Sequence, residues 1–180
     1  LDKIKGQKYL IEVVLGLLKL DRKVKLTIIG EGEEYEYLNQ IIIRNKLTDV
    51  ITLAGKKTQT EIREAFQYHD IYVFTPIALE DGRSETQGLA TLEAQAMGLP
   101  VVVFDSGGVK YTVKNNFTGY VCSPQNVNCV INKIKHLYDH PGERKEMGRE
   151  ARNFVKENYS DTKLLNKWGL IYNSLLNKSH

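Results

Sequence analysis

Cysteine is almost missing from this sequence. Among 180 residues only Cys122 and Cys129 carry sulfhydryls. Two are too few for a disulfide framework, and their spacing fits no metal-ligand pattern. The expectation is two reduced thiols in a reducing compartment. Long apolar runs are missing too, since no stretch approaches the roughly 20 residues that span a bilayer. Charge of one sign is nowhere concentrated. Lys and Arg number 25 against 22 Asp and Glu, a net charge of +3. The basic residues are spread along the chain, with no nucleic-acid arm and no polybasic membrane patch. Internal repeats and low-complexity tracts are absent. So are an initiator methionine and a signal-peptide pattern. The chain opens "LDKIKGQKYL", close to the start of a helix. The expectation is a piece of a longer chain, or one whose first residues are unseen.

What remains is an ordinary soluble balance of 42% hydrophobic and 26% charged residues, enough for one domain with a real core. Apolar residues alternate between two periods. "KGQKYLIEVVLGLLKL" places Tyr9, Val13, Leu17 and Leu20 at helical spacing. Residues 25–30, 50–55, 71–76, 101–105 and 119–122 are short apolar runs that predict buried strands. Between them, residues 31–47, 60–70 and 88–98 predict helices, the first acidic in its opening turn, the second with Thr60 as N-cap. Gly98-Leu99-Pro100 stops the third. Residues 77–87 form a polar loop. From residue 126 to about 177 the pattern gives two or three helices, interrupted near His140-Pro141-Gly142 and Tyr159-Ser160.

Continuous apolar strands separated by helix-length crossovers predict a parallel sheet covered on both faces, a doubly wound α/β fold with a helical C-terminal tail. Ligands in such sheets bind at the carboxyl ends of the strands. Those ends carry Gly30-Glu31-Gly32, Gly55-Lys56-Lys57, Thr75-Pro76 and Asp105-Ser106-Gly107-Gly108. Any one glycine simply ends a strand; together they mark a binding edge.

Within "SETQGLATLEAQAMGLP", residues 84–100, a helical wheel places Leu89, Ala90, Leu92, Glu93, Ala94, Ala96 and Met97 on one continuous arc. Only Thr91 and Gln95 lie opposite. Glu93 therefore falls within the apolar arc, where a carboxylate is costly without donors. A buried salt bridge or a cap would satisfy it. So would a ligand rich in hydroxyls. The helix start favours the ligand, because the amides of Gly88, Leu89, Ala90 and Thr91 form an anion site. An anion at the amides beside hydroxyls at a carboxylate describes pyrophosphate plus ribose. Lys5, just before Gly6, is a candidate counter-cation.

The pattern from Glu85 to Glu93, followed by "AQAMGLPVVVFDSGG", resembles the donor-binding signature of retaining glycosyltransferases of family four, with GT-B architecture. "KGQKYLIEVV", "LTIIGEG", "VITLAGKK", "HDIYVFTP" and "GGVKYTVKNNFTGYVC" resemble that family's successive segments, in its order and spacing. The resemblance implies the carboxyl-terminal, nucleotide-sugar (donor) binding Rossmann-like domain over residues 1–180. The amino-terminal acceptor domain of the same full-length chain would be absent here, along with a preceding strand that carries a phosphate-binding arginine.

By resemblance, Glu93 holds the donor ribose and Glu85 faces the sugar ring as the catalytic position. The amides of Leu89, Ala90 and Thr91, following Gly88, hold the diphosphate, and Lys5 neutralises it. Gly30 and Gly32 border the diphosphate and sugar; Gly55, Lys56 and Lys57 border the base. The implied substrates are a UDP- or GDP-sugar and a glycan or lipid-linked acceptor, without metal, cofactor or nucleic acid. The implied setting is polysaccharide or glycolipid synthesis, cytoplasmic and peripheral at the inner membrane face. The chain departs from the family in Thr86-Gln87 after Glu85, in a longer loop over 77–84 carrying Glu80, Asp81 and Arg83, and at Tyr111 or a neighbouring position, where a glutamate is common.

Two other readings stand beside this one. A glycosidase would use Glu85 and Glu93 as its carboxylate pair, but a loop-then-helix placement fits opposite sides of a sugar poorly. A non-catalytic doubly wound nucleotide-binding or regulatory module is the main alternative. The histidines His69, His136, His140 and His180 suggest no catalytic role. Leu164, Leu165, Trp168, Ile171, Tyr172 and Leu175 recur at helical spacing and predict core packing, although in this architecture the last helix often reaches toward the other domain.

Overall fold

The computed structural model describes residues 1–176. Five parallel strands alternate with helices. They are β1 (Leu26–Ile28), β2 (Ile51–Leu53), β3 (Tyr72–Phe74), β4 (Val101–Phe104) and β5 (Gly119–Cys122). The helices are α1 (Gln7–Lys19), α2 (Tyr35–Arg44), α3 (Gln59–Gln67), α4 (Leu89–Ala96), α5 (Val127–Asp139), α6 (Pro141–Tyr159) and α7 (Asp161–Leu176). Strand β1 pairs with β2 in one parallel group, and β3-β4-β5 form another. Short 3-10 turns at Lys3–Lys5 and Val109–Thr112 complete the described chain; neither is evident in the apolar pattern.

Strand β4 shows why continuous apolar runs mean two covered faces. All four of its residues are fully buried. Successive side chains point to opposite faces. Val101 and Val103 pack with Ala94, Leu99, Val109 and Val113 on the α4 side. Val102 and Phe104 pack with Tyr9, Val13 and Leu17 of α1 and with Val130, Ile134 and Leu137 of α5. The second face of α1 turns Ile11 and Val14 toward Ile28, Leu38, Ile42 and Ile51. Helix α1 thus joins the two strand groups into one core. Strands β1, β2 and β3 are only partly buried, unlike the full burial their composition predicts.

Three sequence-based expectations change. The N-cap of α3 is Thr58, not Thr60. Thr58 Oγ1 accepts the Glu61 amide at 3.3 Å, and the Glu61 carboxylate accepts the Thr58 amide at 2.8 Å, a reciprocal capping box. Cys122 and Cys129 are not free thiols but a disulfide that ties the end of β5 to the first turn of α5. It removes the premise for expecting a reducing compartment. Leu165, Trp168, Ile171 and Tyr172 do not enter the core. They are 49–70% exposed on α7, which packs on α6 alone among the more extensive element contacts. Among the described residues, no helix is long and apolar enough to cross a membrane. His180 lies outside the described residues.

Candidate functional site

A cleft of about 630 Å³ opens beside the carboxyl ends of β1 and β3 and the start of α4. Its lining includes Lys5, Gly30, Tyr72, Phe74, Glu85, Gly88, Leu89 and Ala90. The cleft therefore brings together Lys5, Gly30, Glu85, Gly88, Leu89 and Ala90 from the sequence prediction. Gly32, Gly55, Lys56, Lys57, Thr91 and Glu93 do not line it.

Lys5 is placed by backbone bonds to the strand beneath it. Gly6, in the left-handed region, ends the Lys3–Lys5 turn and starts α1. The buried Thr75 hydroxyl donates to the Gly6 carbonyl at 2.9 Å, and the Ile77 amide donates to the Ile4 carbonyl at 2.8 Å. The turn is bolted to the end of β3, and the Lys5 ammonium lies 5.7 Å from the centre of the Phe74 ring.

Glu85 occupies the mouth of α4. Its carboxylate bonds to the Lys5 ammonium and accepts the amides of Gly88 at 3.1 Å and Gln87 at 3.4 Å. Burial pushes the Glu85 carboxyl up, but the Lys5 and amide bonds outweigh it and hold the group below its ordinary value. The loop that carries it rests on Gly107-Gly108. The Gly108 amide donates to the Glu85 carbonyl at 3.2 Å, and a Cβ on Gly107 would overlap that carbonyl. The glycine pair after β4 thus seats Glu85, a role that could be sought from its place at the binding edge.

The helix start differs from the sequence expectation at two of its four amides. Gly88 donates to Glu85, and Thr91 donates to the Gly88 carbonyl at 2.9 Å. Leu89 and Ala90 occupy the first helical turn, where amides have no intrahelical partner. Both residues line the cleft.

Glu93 reverses the wheel's reading. The buried face of α4 holds Thr91, Leu92, Ala94 and Gln95, whereas Leu89, Ala90 and Glu93 are exposed. The polar residues go inward because Gln95 Nε2 donates to the Thr112 carbonyl at 2.7 Å, anchoring the Val109–Thr112 turn. Glu93 lies three and four residues beyond Ala90 and Leu89, on the helix face that borders the cleft. Among the described residues no hydrogen bond or ion pair engages its carboxylate. Both Glu93 and Glu85 act on Tyr72: burial raises the Tyr72 hydroxyl first, and the two nearby negative charges raise it further. A glycosidase pair is not what this builds, because Glu85 is committed to an ammonium and two amides.

The residues expected beside the base lie at the ends of β1 and β2. The Gly30 amide donates to the Gly55 carbonyl at 2.8 Å, linking the two strand ends. Lys56 pairs with Glu31 at 3.2 Å with both side chains well exposed, an arrangement worth little energetically. Lys57 pairs with Glu61 at 2.9 Å, and Leu1 covers Gly32.

Known proteins resemble this chain over most of its length. The chain is 31% identical over 170 residues to poly(ribitol-phosphate) alpha-N-acetylglucosaminyltransferase of Staphylococcus aureus, covering 92% of this chain and 32% of that protein. It is 26% identical over 167 residues to N-acetyl-alpha-D-glucosaminyl L-malate synthase of Bacillus anthracis, covering 92% and 42%. A crystal structure of an S. aureus TarM variant in complex with Fondaparinux, alpha-GlcNAc-glycerol and UDP superposes with a TM-score of 0.83 at 30% identity, covering 94% of this chain and 33% of that one. The chain thus spans about a third of the length of the first of these relatives. Residues 1–154 match the family described as glycosyl transferases group 1, and the chain belongs to that family.

Proposed function

We propose that this chain is the donor-binding half of a retaining glycosyltransferase that uses a nucleoside-diphosphate sugar. The observation that carries the reading is the meeting of Lys5, the Leu89 and Ala90 amides and Glu85 in one cleft at the strand ends. A lysine and a helix N-terminus suit a diphosphate, and Glu93 one turn along suits ribose hydroxyls. UDP in the similar TarM complex favours a uridine donor. The Glu85 carboxylate bonds to Lys5 and to the Gly88 and Gln87 amides. The donor diphosphate would take over Lys5, releasing Glu85 to orient the sugar.

In the transfer, the bond between the anomeric carbon and the donor phosphate breaks. An acceptor hydroxyl bonds to that carbon from the face the phosphate leaves, passing its proton to the departing phosphate oxygen, and the nucleoside diphosphate leaves with the electron pair. Lys5 and the α4 amides stabilise its charge, a preorganised electrostatic role. The acceptor, a glycan or lipid-linked glycan, would bind the amino-terminal domain of the full-length chain. The exposed apolar side chains of α7, Leu165, Trp168, Ile171 and Tyr172, fit burial by that domain.

The test is transfer from UDP-, GDP- and ADP-sugars by the full-length protein, with product anomeric configuration read by NMR. Retention, together with no transfer by residues 1–180 alone, is expected. Inversion, or full turnover by the 180-residue chain, would overturn the reading.

A further inference from the structure

Away from the donor cleft, the junction of α5 and α6 gathers three side chains able to bind a metal. His136 lies in the last turn of α5, His140 sits between the helices, and Glu143 lies in the first turn of α6 behind Pro141. Their ligand atoms all lie within 4.8 Å of one another. We propose that His136, His140 and Glu143 form a binding site for a zinc-class divalent cation that clips α5 to α6. None of the three lines the donor cleft.

Two features support a site rather than a chance cluster. The first is tautomer control. His140 Nδ1 lies 2.9 Å from the His136 carbonyl, so Nδ1 carries the proton and Nε2 keeps its lone pair. A metal-binding imidazole commonly has such a second bond, which fixes the ring and raises its basicity. The second is charge. His136 Nε2 donates to the Glu143 carboxylate at 2.8 Å, and a bound cation would replace that proton between them. The neighbouring cations have other partners: Arg22 and Lys135 hold Asp139, Arg144 holds Asp70, and Lys133 lies over Tyr120.

Two imidazoles and one carboxylate suit zinc, copper or nickel better than calcium or magnesium, which prefer oxygen shells. In a tetrahedral shell with bonds near 2.1 Å the ligand atoms stand about 3.4 Å apart. The His136–Glu143 pair therefore opens by about half an ångström to admit the ion. Exposure of Glu143 leaves the fourth position to water.

The test titrates the chain with Zn2+ and with Co2+, keeping the Cys122–Cys129 disulfide intact because free thiolates bind the same ions. One bound equivalent, visible Co2+ ligand-field absorption and a higher melting temperature are expected. His140→Ala and Glu143→Gln should each weaken binding by about tenfold or more. His69→Gln should bind like the wild type, since His69 bonds instead to Ala65 and Thr27. Absence of saturable one-equivalent binding, or wild-type affinity in either His140→Ala or Glu143→Gln, would overturn the proposal.

Discussion

Glu93 and Glu85 exchange their difficulties between sequence and structure. On the wheel Glu93 is a carboxylate in an apolar arc; in the fold it is exposed on the cleft-bordering face of α4, and Gln95 is the buried polar residue. The sequence marks both glutamates as unusual through their spacing and the glycine beside them. It does not show which side of α4 turns inward, because that depends on an amide bond from Gln95 to Thr112, 17 residues away. If Glu93 binds ribose, Glu93→Ala should weaken UDP by about 1.5–3 kcal/mol, roughly 10- to 100-fold. Calorimetry with UDP and its deoxyribose analogue checks this: the penalty should shrink for the analogue, and an equal penalty for both would argue against a ribose contact. Glu85 makes a pH prediction. Its carboxyl is held below its ordinary value of 4.5, so its stabilising bonds are present above that pH and lost as pH falls through the lower, folded value. Acid unfolding followed by circular dichroism should show a shallower stability loss below pH 4.5 in Glu85→Gln than in the wild type.

At the scale of elements, the order of strands and helices is legible because the period of the apolar pattern changes between them. Among the described residues the strands and α-helices fall within the segments the sequence suggests, except that α3 starts at Gln59, ahead of its predicted start at Thr60. The edges are less legible. Residues 58–61 read Thr-Gln-Thr-Glu, so either threonine can precede the helix, but only Thr58 stands three residues before Glu61 and completes the reciprocal cap. The bond from the Thr58 amide, followed by Lys57 and the Thr58 hydroxyl, lowers the Glu61 carboxyl to about 2. Thr58→Ala should cost about 1 kcal/mol, a melting-temperature drop of about 2–4 °C by calorimetry. Thr60→Ala should cost distinctly less. The Val109–Thr112 turn has no apolar period to announce it. It exists because Gly108 lies under the Thr86 backbone and Gln95 bonds to Thr112, both tertiary contacts.

For the whole molecule, fold class follows from β4, whose four consecutive apolar residues require cover on both faces and receive it from α1, α5 and α4. The same reasoning misplaces α7. Helical spacing of Trp168, Ile171 and Tyr172 shows that a helix has something to bury, not that the partner lies within residues 1–176. The disulfide is equally a matter of the assembled fold, since it needs the end of β5 and the start of α5 to meet with Cα atoms 5.9 Å apart. The central claim, a nucleoside-diphosphate site built from Lys5, the α4 amides and Glu93, is tested most directly by thermal unfolding of the chain with UDP, GDP or ADP. A ligand that binds only the folded state stabilises it, by about 2.7 kcal/mol at 100 times its Kd. The account predicts a saturable rise in melting temperature with at least one of the three, smaller in Lys5→Ala and in Glu93→Ala. No rise with any nucleotide, or an equal rise in both variants, would contradict it.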